Sequence, residues 1–461
     1  MFQAEVYTGR RLALREKMGQ GLLLFLGNRE SPMNYADNTY HFRQDSSFLY
    51  YWGLDQANLA AVIDVDSGEE TIFGDELTID DIVWMGSLPT LRQCARDVGV
   101  HETRPFKELS CQISQAIKAG RPVHFLPPYR PDNMIQLGRW LELPPEKLRE
   151  KASVEMILAV AGMRNIKSEL EIAEIETAAD ITVDMHVAAM TMTRPGMREW
   201  QIMAEMHRVA LASGGNLSFP IILTKNGQTL HNHFHGHLVQ EGDLVLADAG
   251  AESRRHYAAD MSSTFPVSPR FTPEQKAIYE IALAAHQAAV DTLAPGVSNR
   301  SVHLKACRTI AEGLKGLGLM KGDLDEAVAL GAHALFFPCG TGHMMGLDVH
   351  DMEDLGEQYV GYENESKSTQ FGLKSLRLAR TLQPGFVLTI EPGIYFIPEL
   401  IDLWKSQHKF SEFIVYDEVE KYRHFGGLRN EEDYLITPEG HRRLGKYKPM
   451  TVAEVETIRA G

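Results

Sequence analysis

Cysteine is scarce: Cys94, Cys111, Cys307 and Cys339 are the four in 461 residues, with no CxxC pair among them. That excludes a disulfide-framed module and a zinc-thiolate finger as sequence signals, and it fits a reducing compartment. Long apolar runs are also missing. None approaches the roughly 18 residues needed to span a bilayer, and residues 1–20 carry too many charges for a secretory leader. A cytoplasmic protein with no membrane partner is expected. Basic residues are in deficit, 46 against 62 acidic, and the formal charge of −16 opposes a phosphate backbone or an anionic lipid surface. Nucleic acid is excluded as a partner class.

What is present is an ordinary globular balance, 44% hydrophobic and 23% charged, over a length suited to two or three domains. Two regions separate near residue 160. The first mixes short apolar runs, Gly21-Leu-Leu-Leu-Phe-Leu-Gly27 and Val123-His-Phe-Leu126, with a hairpin signal at Asp66-Ser67-Gly68. It reads as an α/β domain. In the second, Ser168 and Glu171 are spaced as a capping box that opens a long helix, and Pro195-Gly196 stops it. Thr272-Pro273-Glu274-Gln275 starts another helix, expected to run to about Leu293.

The second region repeats itself. Glu241-Gly-Asp-Leu-Val-Leu-Ala-Asp-Ala-Gly250 and Gln383-Pro-Gly-Phe-Val-Leu-Thr-Ile-Glu-Pro-Gly393 share a glycine, an apolar strand, an acid and a glycine. Gly242, Asp248 and Gly250 map onto Gly385, Glu391 and Gly393 with one constant offset. Each copy is followed by a further acid on a later strand, Asp260 and Glu431. A hairpin would bring Asp248 and Asp260 together, but their even separation forbids a two-residue loop with the acids directly opposite. The spacing predicts a three-residue turn or bulge within Ser253-Arg-Arg-His256.

Carboxylates at the ends of apolar strands repel one another unless a cation compensates. His343 lies in the glycine-punctuated segment Gly340-Thr-Gly-His-Met-Met-Gly346, whose backbone can approach a site closely. Together, Asp248, Asp260, His343, Glu391 and Glu431 offer four negative charges and one imidazole, a balance that suits two divalent cations. Ligand hardness puts Mn²⁺ first, with Zn²⁺ or Co²⁺ as alternatives. In a strand, His231, His233, His235 and His237 would share a face, the arrangement of a separate metal site; for the last three a polar strand or loop edge is favoured over that site.

At these five residues the sequence resembles the pita-bread metallopeptidases. The strings Gly340-Thr-Gly-His-Met-Met-Gly-Leu-Asp-Val-His-Asp351, Leu388-Thr-Ile-Glu-Pro-Gly-Ile-Tyr395 and Gly427-Leu-Arg-Asn-Glu431 narrow the resemblance to the proline-specific branch, prolidase and aminopeptidase P. His41-Phe-Arg-Gln-Asp-Ser-Ser-Phe48 and Ile63-Asp-Val-Asp-Ser-Gly68 extend it over nearly the whole chain. The resemblance implies an amino-terminal creatinase-like α/β domain over 1–160, a pita-bread α+β catalytic domain with an internal pseudo-repeat over 161–445, and a tail over 446–461. It also implies a homodimer. Asp260 and Glu431 would bridge two metals, Asp248 would complete one, and His343 with Glu391 the other. The sequence departs from the family in having one extra residue between the aspartates, in Pro338-Cys339-Gly340 for Pro-His-Gly, and in Ser262-Ser263-Thr264 for Thr-Arg-Thr.

A bond preceding proline is a tertiary amide with no N–H and a ring-fixed φ, so it requires a dedicated peptidase. The resemblance implies hydrolysis of that bond, with Glu391 as proton shuttle, His350 on the substrate carbonyl or oxyanion, His231 enclosing the proline and Arg429 orienting the Glu431 carboxylate. Arg377, fourteen residues before Glu391, stands where prolidase-like sequences place an arginine that grips the product-side carboxylate. An Xaa-Pro dipeptidase is favoured; the alternative is an aminopeptidase acting on longer Xaa-Pro-Yaa peptides. A metal-free scaffold or a creatinase-like hydrolase is disfavoured, because either would lack ligands that this chain retains.

Overall fold

Apolar runs bounded by turn residues become strands, and capped amphipathic runs become helices, throughout the computed structural model, which describes residues 1–363 and 366–461. The chain divides into two units, Met1–Arg164 with Met352–Tyr359, and Asn165–Asp351 with Val360–Gly461. No helix among the described residues is long and apolar enough to cross a membrane.

The first unit is built on a five-stranded mixed sheet. Leu22–Leu26 lies inside the sheet, antiparallel to the central strand Ala60–Asp64 and parallel to the edge strand Val123–Phe125. Its LLLFL run is buried along nearly its whole length, as a strand covered on both faces requires. The hairpin between Ala60–Asp64 and Glu70–Phe73 closes through Asp64 and Gly68, whose N–H donates to the Asp64 carbonyl at 2.8 Å and whose φ of 77° favours glycine.

The second unit repeats one plan. A helix pair, Glu169–Met192 against Glu199–Ala212, precedes the sheet Met261–Pro266, Leu244–Ala249, Ile222–Thr224. A second pair, Pro273–Val290 against Asn299–Gly316, precedes the sheet Val387–Ile390, Glu432–Thr437, Gly440–Arg443. Both expected helix starts carry complete capping boxes, Ser168 with Glu171 and Thr272 with Gln275. The helix from Pro273 ends at Val290, about one turn short of Leu293.

The first repeat is held at its strand end by the long helix. His186 Nε2 lies 3.1 Å from the Ala249 carbonyl, and the Thr182 hydroxyl accepts from the Ala251 N–H at 2.9 Å. Between those two contacts sits Gly250, where a Cβ would come within 1.8 Å of the Ala259 carbonyl. The two arms of the hairpin can meet there only because the side chain is missing.

The segment 446–461 does not hang free as a tail. It belongs to the second unit and ends in the helix Val452–Ala460. Buried Lys448 donates from Nζ to the Ser262 carbonyl at 2.5 Å. Arg459, also buried, donates to the carbonyls of Pro266 (2.8 Å), Thr193 (2.7 Å), Val267 (2.7 Å) and Met190. One guanidinium thus satisfies four backbone acceptors that would otherwise be orphaned. Arg459→Ala is expected to destabilise the second unit by about 1.5–3 kcal/mol, the range for hydrogen bonds to a charged group, read as a lower urea midpoint. An unchanged midpoint would show that water replaces the guanidinium without cost.

Candidate metal centre

The register of the first hairpin decides which acids meet. Leu244–Ala249 pairs antiparallel with Met261–Pro266, and Asp248 stands opposite Ser262. Asp260 therefore lies two residues along the opposing arm, on the same face as Ser262 and diagonal to Asp248. The loop closes as the spacing requires: Ser253 N–H donates to Tyr257 at 2.8 Å, His256 N–H donates to Ser253 at 2.9 Å, and His256 takes a φ of 66°. Three residues, 254–256, turn the chain, with the last in the left-handed region.

The second repeat supplies its acids by a different register. Ile390 stands opposite Glu432 and Gly393 opposite Arg429, so Glu391 faces Glu431 across the two arms. His343 arrives on a loop laid along Val387–Ile390. Its N–H donates to the Thr389 hydroxyl oxygen at 3.3 Å, and the Thr389 N–H donates to its carbonyl at 3.0 Å. Its imidazole is oriented by Nδ1, 3.1 Å from the Met344 carbonyl, which turns Nε2 toward the acids.

These side chains converge. His343 Nε2 lies 3.3 Å from Asp260 Oδ2 and 3.7 Å from Glu391 Oε1, and donor atoms of Asp260, His343 and Glu431 lie within 4.8 Å of one another. Asp248 is turned to Arg429, whose Nη2 meets its Oδ2 at 2.5 Å. The same guanidinium donates to Ser262 Oγ (2.9 Å) and to the Tyr395 hydroxyl (2.7 Å), while Ser262 Oγ donates to Glu431 Oε2 at 2.8 Å. Arg429 thus touches Asp248 directly and reaches Glu431 through Ser262.

Burial, aided by Glu431 and Asp248, pushes the Asp260 carboxyl well above its ordinary range; burial, aided by Glu391 and Asp248, does the same to Glu431. Burial, with His350 adding to it, holds His343 well below its ordinary value. Burial works against the charge of Arg429, but Tyr395, Asp248, Glu391 and Glu431 outweigh it and keep the guanidinium ionised. Among the described residues, Asp260 Oδ1 and Glu431 Oε1 are buried oxygens that no protein donor reaches. Hard oxygen donors facing one another, two of them without a protein partner, with one lone-pair nitrogen among them, fit divalent cations.

The remaining expected residues surround this cluster. The His350 ring lies 4.3 Å from that of His343. His231 is exposed at the surface of the site; partial desolvation, with Arg429, lowers its pKa. Arg377 is half-buried, and its positive charge acts on His231, His343 and Glu391. The other histidines lie on a loop, in keeping with the polar-edge reading: residues 232–237 form no strand. His235 Nδ1 instead meets the Leu223 carbonyl at 3.1 Å and His237 Nδ1 the Glu199 carboxylate at 2.9 Å, local partners that compete with a ladder. No metal cluster forms from them among the described residues.

Several contributors were not read from the sequence. Ser262, Tyr395 and Asp433, whose Oδ2 accepts from the Asp260 N–H at 3.2 Å, carry no motif of their own. Ser262 becomes legible only once the hairpin register sets it opposite Asp248. Cys339, at the family's histidine position, is held up to about 12 by burial and by nearby Glu391.

The family model for metallopeptidase family M24 matches residues 173–438, and that for the aminopeptidase P N-terminal domain matches residues 7–124. The chain is 30% identical to the Xaa-Pro dipeptidase of Homo sapiens, with 98% of this chain and 91% of the relative covered. It is 31% identical to the Xaa-Pro aminopeptidase of Escherichia coli K12, with 98% and 97% covered. Its backbone is similar to that of zinc-substituted E. coli aminopeptidase P in complex with product, with a TM-score of 0.82 and 30% identity over 100% of this chain and 98% of that one. Pseudomonas aeruginosa aminopeptidase PepP is similar at a TM-score of 0.81 and 28% identity, again over 100% and 98%.

Ser262→Ala removes the hydroxyl that couples Arg429 to Glu431. Equilibrium dialysis should show divalent-metal affinity falling roughly 10–100-fold, the effect typical of an outer partner of a ligand. Unchanged affinity would mean that Glu431 holds its position without that bond.

Proposed function

The chain belongs to metallopeptidase family M24, and from that premise we propose that it is a metallo-exopeptidase cleaving the bond between an amino-terminal residue and a following proline, with Xaa-Pro dipeptides its favoured substrates. The observation that carries this reading is the convergence of His343 with Asp260, Glu391 and Glu431 around carboxylate oxygens that no protein donor reaches.

Asp248, Asp260, His343, Glu391 and Glu431 would hold two divalent ions, which supply an activated water at neutral pH and polarise the scissile carbonyl. The protein's own part is to orient the peptide and move a proton. Glu391 suits the second task because its side chain is 19% exposed, against 4% for His343 and 7% for Asp260, so it alone of these meets the substrate side. From there a carboxylate takes the proton of the attacking water and returns it to the proline nitrogen as the C–N bond breaks. His350, beside His343, is suited to donate to the substrate carbonyl oxygen, and exposed His231 to close over the proline ring.

The preference for dipeptides rests on Arg377. A free carboxylate one residue beyond the scissile bond is matched by the half-buried Arg377 guanidinium, whose fork can grip two oxygens at once. An aminopeptidase of longer peptides would leave that end open, and the likeness to the E. coli enzyme along its whole length favours this second reading. Manganese as the resident ion follows from the hardness of four carboxylates. A homodimer acting in the cytoplasm completes the proposal.

Two variants test it. Glu391→Gln keeps size and one donor oxygen but removes the base, so turnover on Xaa-Pro should fall by roughly 10²–10⁴; near-normal turnover with two metals bound would reject the shuttle. Arg377→Ala should raise KM for Xaa-Pro roughly 10–150-fold, the equivalent of about 1.5–3 kcal/mol, and affect Xaa-Pro-Yaa less, since that carboxylate lies one residue farther out. Equal losses on both substrates, or a wild-type enzyme that turns over Xaa-Pro-Yaa far better, would transfer the assignment to the aminopeptidase.

A further inference from the structure

A second group of ligand-bearing side chains lies outside the carboxylate centre. His303 and Cys307 are four residues apart on one face of the helix Asn299–Gly316, and His333 faces them from the short turn Ala332–Leu335. Their donor atoms lie within 4.8 Å of one another, and all three residues are at least 99% buried. Cys307 Sγ is 3.4 Å from His303 Nε2. Two donors bound to one ion through bonds of about 2.0 and 2.3 Å stand roughly 3.5 Å apart at a tetrahedral angle and roughly 3.7 Å apart at a trigonal one, so the pair is within a few tenths of an ångström of either.

Two further observations point to a ligand. His303 Nδ1 lies 2.8 Å from the Thr341 hydroxyl, which fixes the ring and presents Nε2 to the thiol. An outer oxygen on one nitrogen and an inward lone pair on the other is how proteins hold metal-binding imidazoles. His333, by contrast, has no hydrogen-bond partner on either ring nitrogen. A buried imidazole aimed at a thiol and a second imidazole, with nothing satisfying it, is an exception that calls for a ligand.

We propose that His303, Cys307 and His333 form a separate metal site for a soft monovalent cation, Cu⁺. Two imidazole nitrogens and a sulfur are soft to borderline donors, and no carboxylate is among the three. Three donors suit a three-coordinate ion, whereas structural Zn²⁺ takes four. Charge agrees: the Sγ proton leaves to solvent as the S–Cu bond forms, and one thiolate then balances one positive charge, so a neutral complex is buried. A divalent ion would leave an uncompensated charge in an apolar interior. No electron is transferred, and both imidazoles bind as neutral rings. The same Thr341 that orients His303 accepts the Glu391 N–H at 2.7 Å through its carbonyl. An ion here would brace, from behind, the loop that delivers His343.

The test is an anaerobic titration of the full chain with Cu⁺ buffered by bicinchoninate, in a Cys111→Ser background that removes the exposed thiol. One tight equivalent with near-ultraviolet sulfur-to-copper absorption is expected. Cys307→Ser and His333→Gln should each weaken it by more than the roughly 10–100-fold that outer partners contribute, while Glu431→Gln, in the carboxylate centre, should leave it intact. X-ray absorption on the loaded chain should find one sulfur and two nitrogens, and this readout stands even if a variant fails to fold. Binding indifferent to Cys307 and His333, a shell without sulfur, or preferential retention of Zn²⁺ by Cys307 would each overturn the proposal.

Discussion

Carboxylates do not share a buried space willingly, and the second unit is organised around making four of them do so. Removed from water, Asp260 and Glu431 favour the protonated form, and each neighbouring acid strengthens that preference. Arg429 is the buried cation placed among them. It neutralises Asp248 directly, steadies Ser262 and Tyr395, and through Ser262 holds Glu431. One guanidinium cannot balance four carboxylates, and the excess of negative oxygen donors is what makes the cluster fit divalent cations. The strand ends, the helix contacts at Ala249 and Ala251 and the glycine at 250 all serve to keep those oxygens from moving apart.

The internal repeat solves this geometry twice, by two registers. In the first half Asp260 lies diagonal to Asp248, two residues along the arm; in the second Glu391 faces Glu431. The difference traces to the turn: an odd three-residue loop carrying left-handed His256 closes the first hairpin, whereas a long insertion separates the second pair. What repeats is an acid at the end of an apolar strand. What does not repeat is how its partner is brought to it.

Ligand hardness divides the unit's metal chemistry. The carboxylate centre is built of oxygen and suits hard divalent ions. The His303, Cys307 and His333 group is built of nitrogen and sulfur behind a wall of apolar side chains that includes Phe337, whose ring is 5.7 Å from that of His303. Thr341 serves both, with its side chain turned to one and its carbonyl to the other. The oxygen donors favour Mn²⁺ over Cu⁺, and the sulfur and imidazoles favour Cu⁺ over Mn²⁺.

Much of the carboxylate centre was legible in residue order. Apolar strands ending in acids, an offset shared by Asp248 and Glu391, and an even spacing that demanded a three-residue loop are local facts, and they follow from strand alternation and turn geometry. Capping boxes at Ser168 and Thr272 are equally local and were equally readable. The histidines from 233 to 237 lie on a loop, because the alternation that would make them a strand loses to hydrogen bonds with Leu223 and Glu199, residues the pattern does not reveal. Ser262, Asp433 and Arg459 act on groups up to some 270 residues away in the chain. His333 joins His303 and Cys307 only because a turn folds back onto a helix. By itself the sequence determined which acids close the apolar strands and how the first hairpin must turn. Only the tertiary structure decided which cation, hydroxyl and imidazole would face them, because close contacts between distant segments are made by packing and leave no periodicity behind.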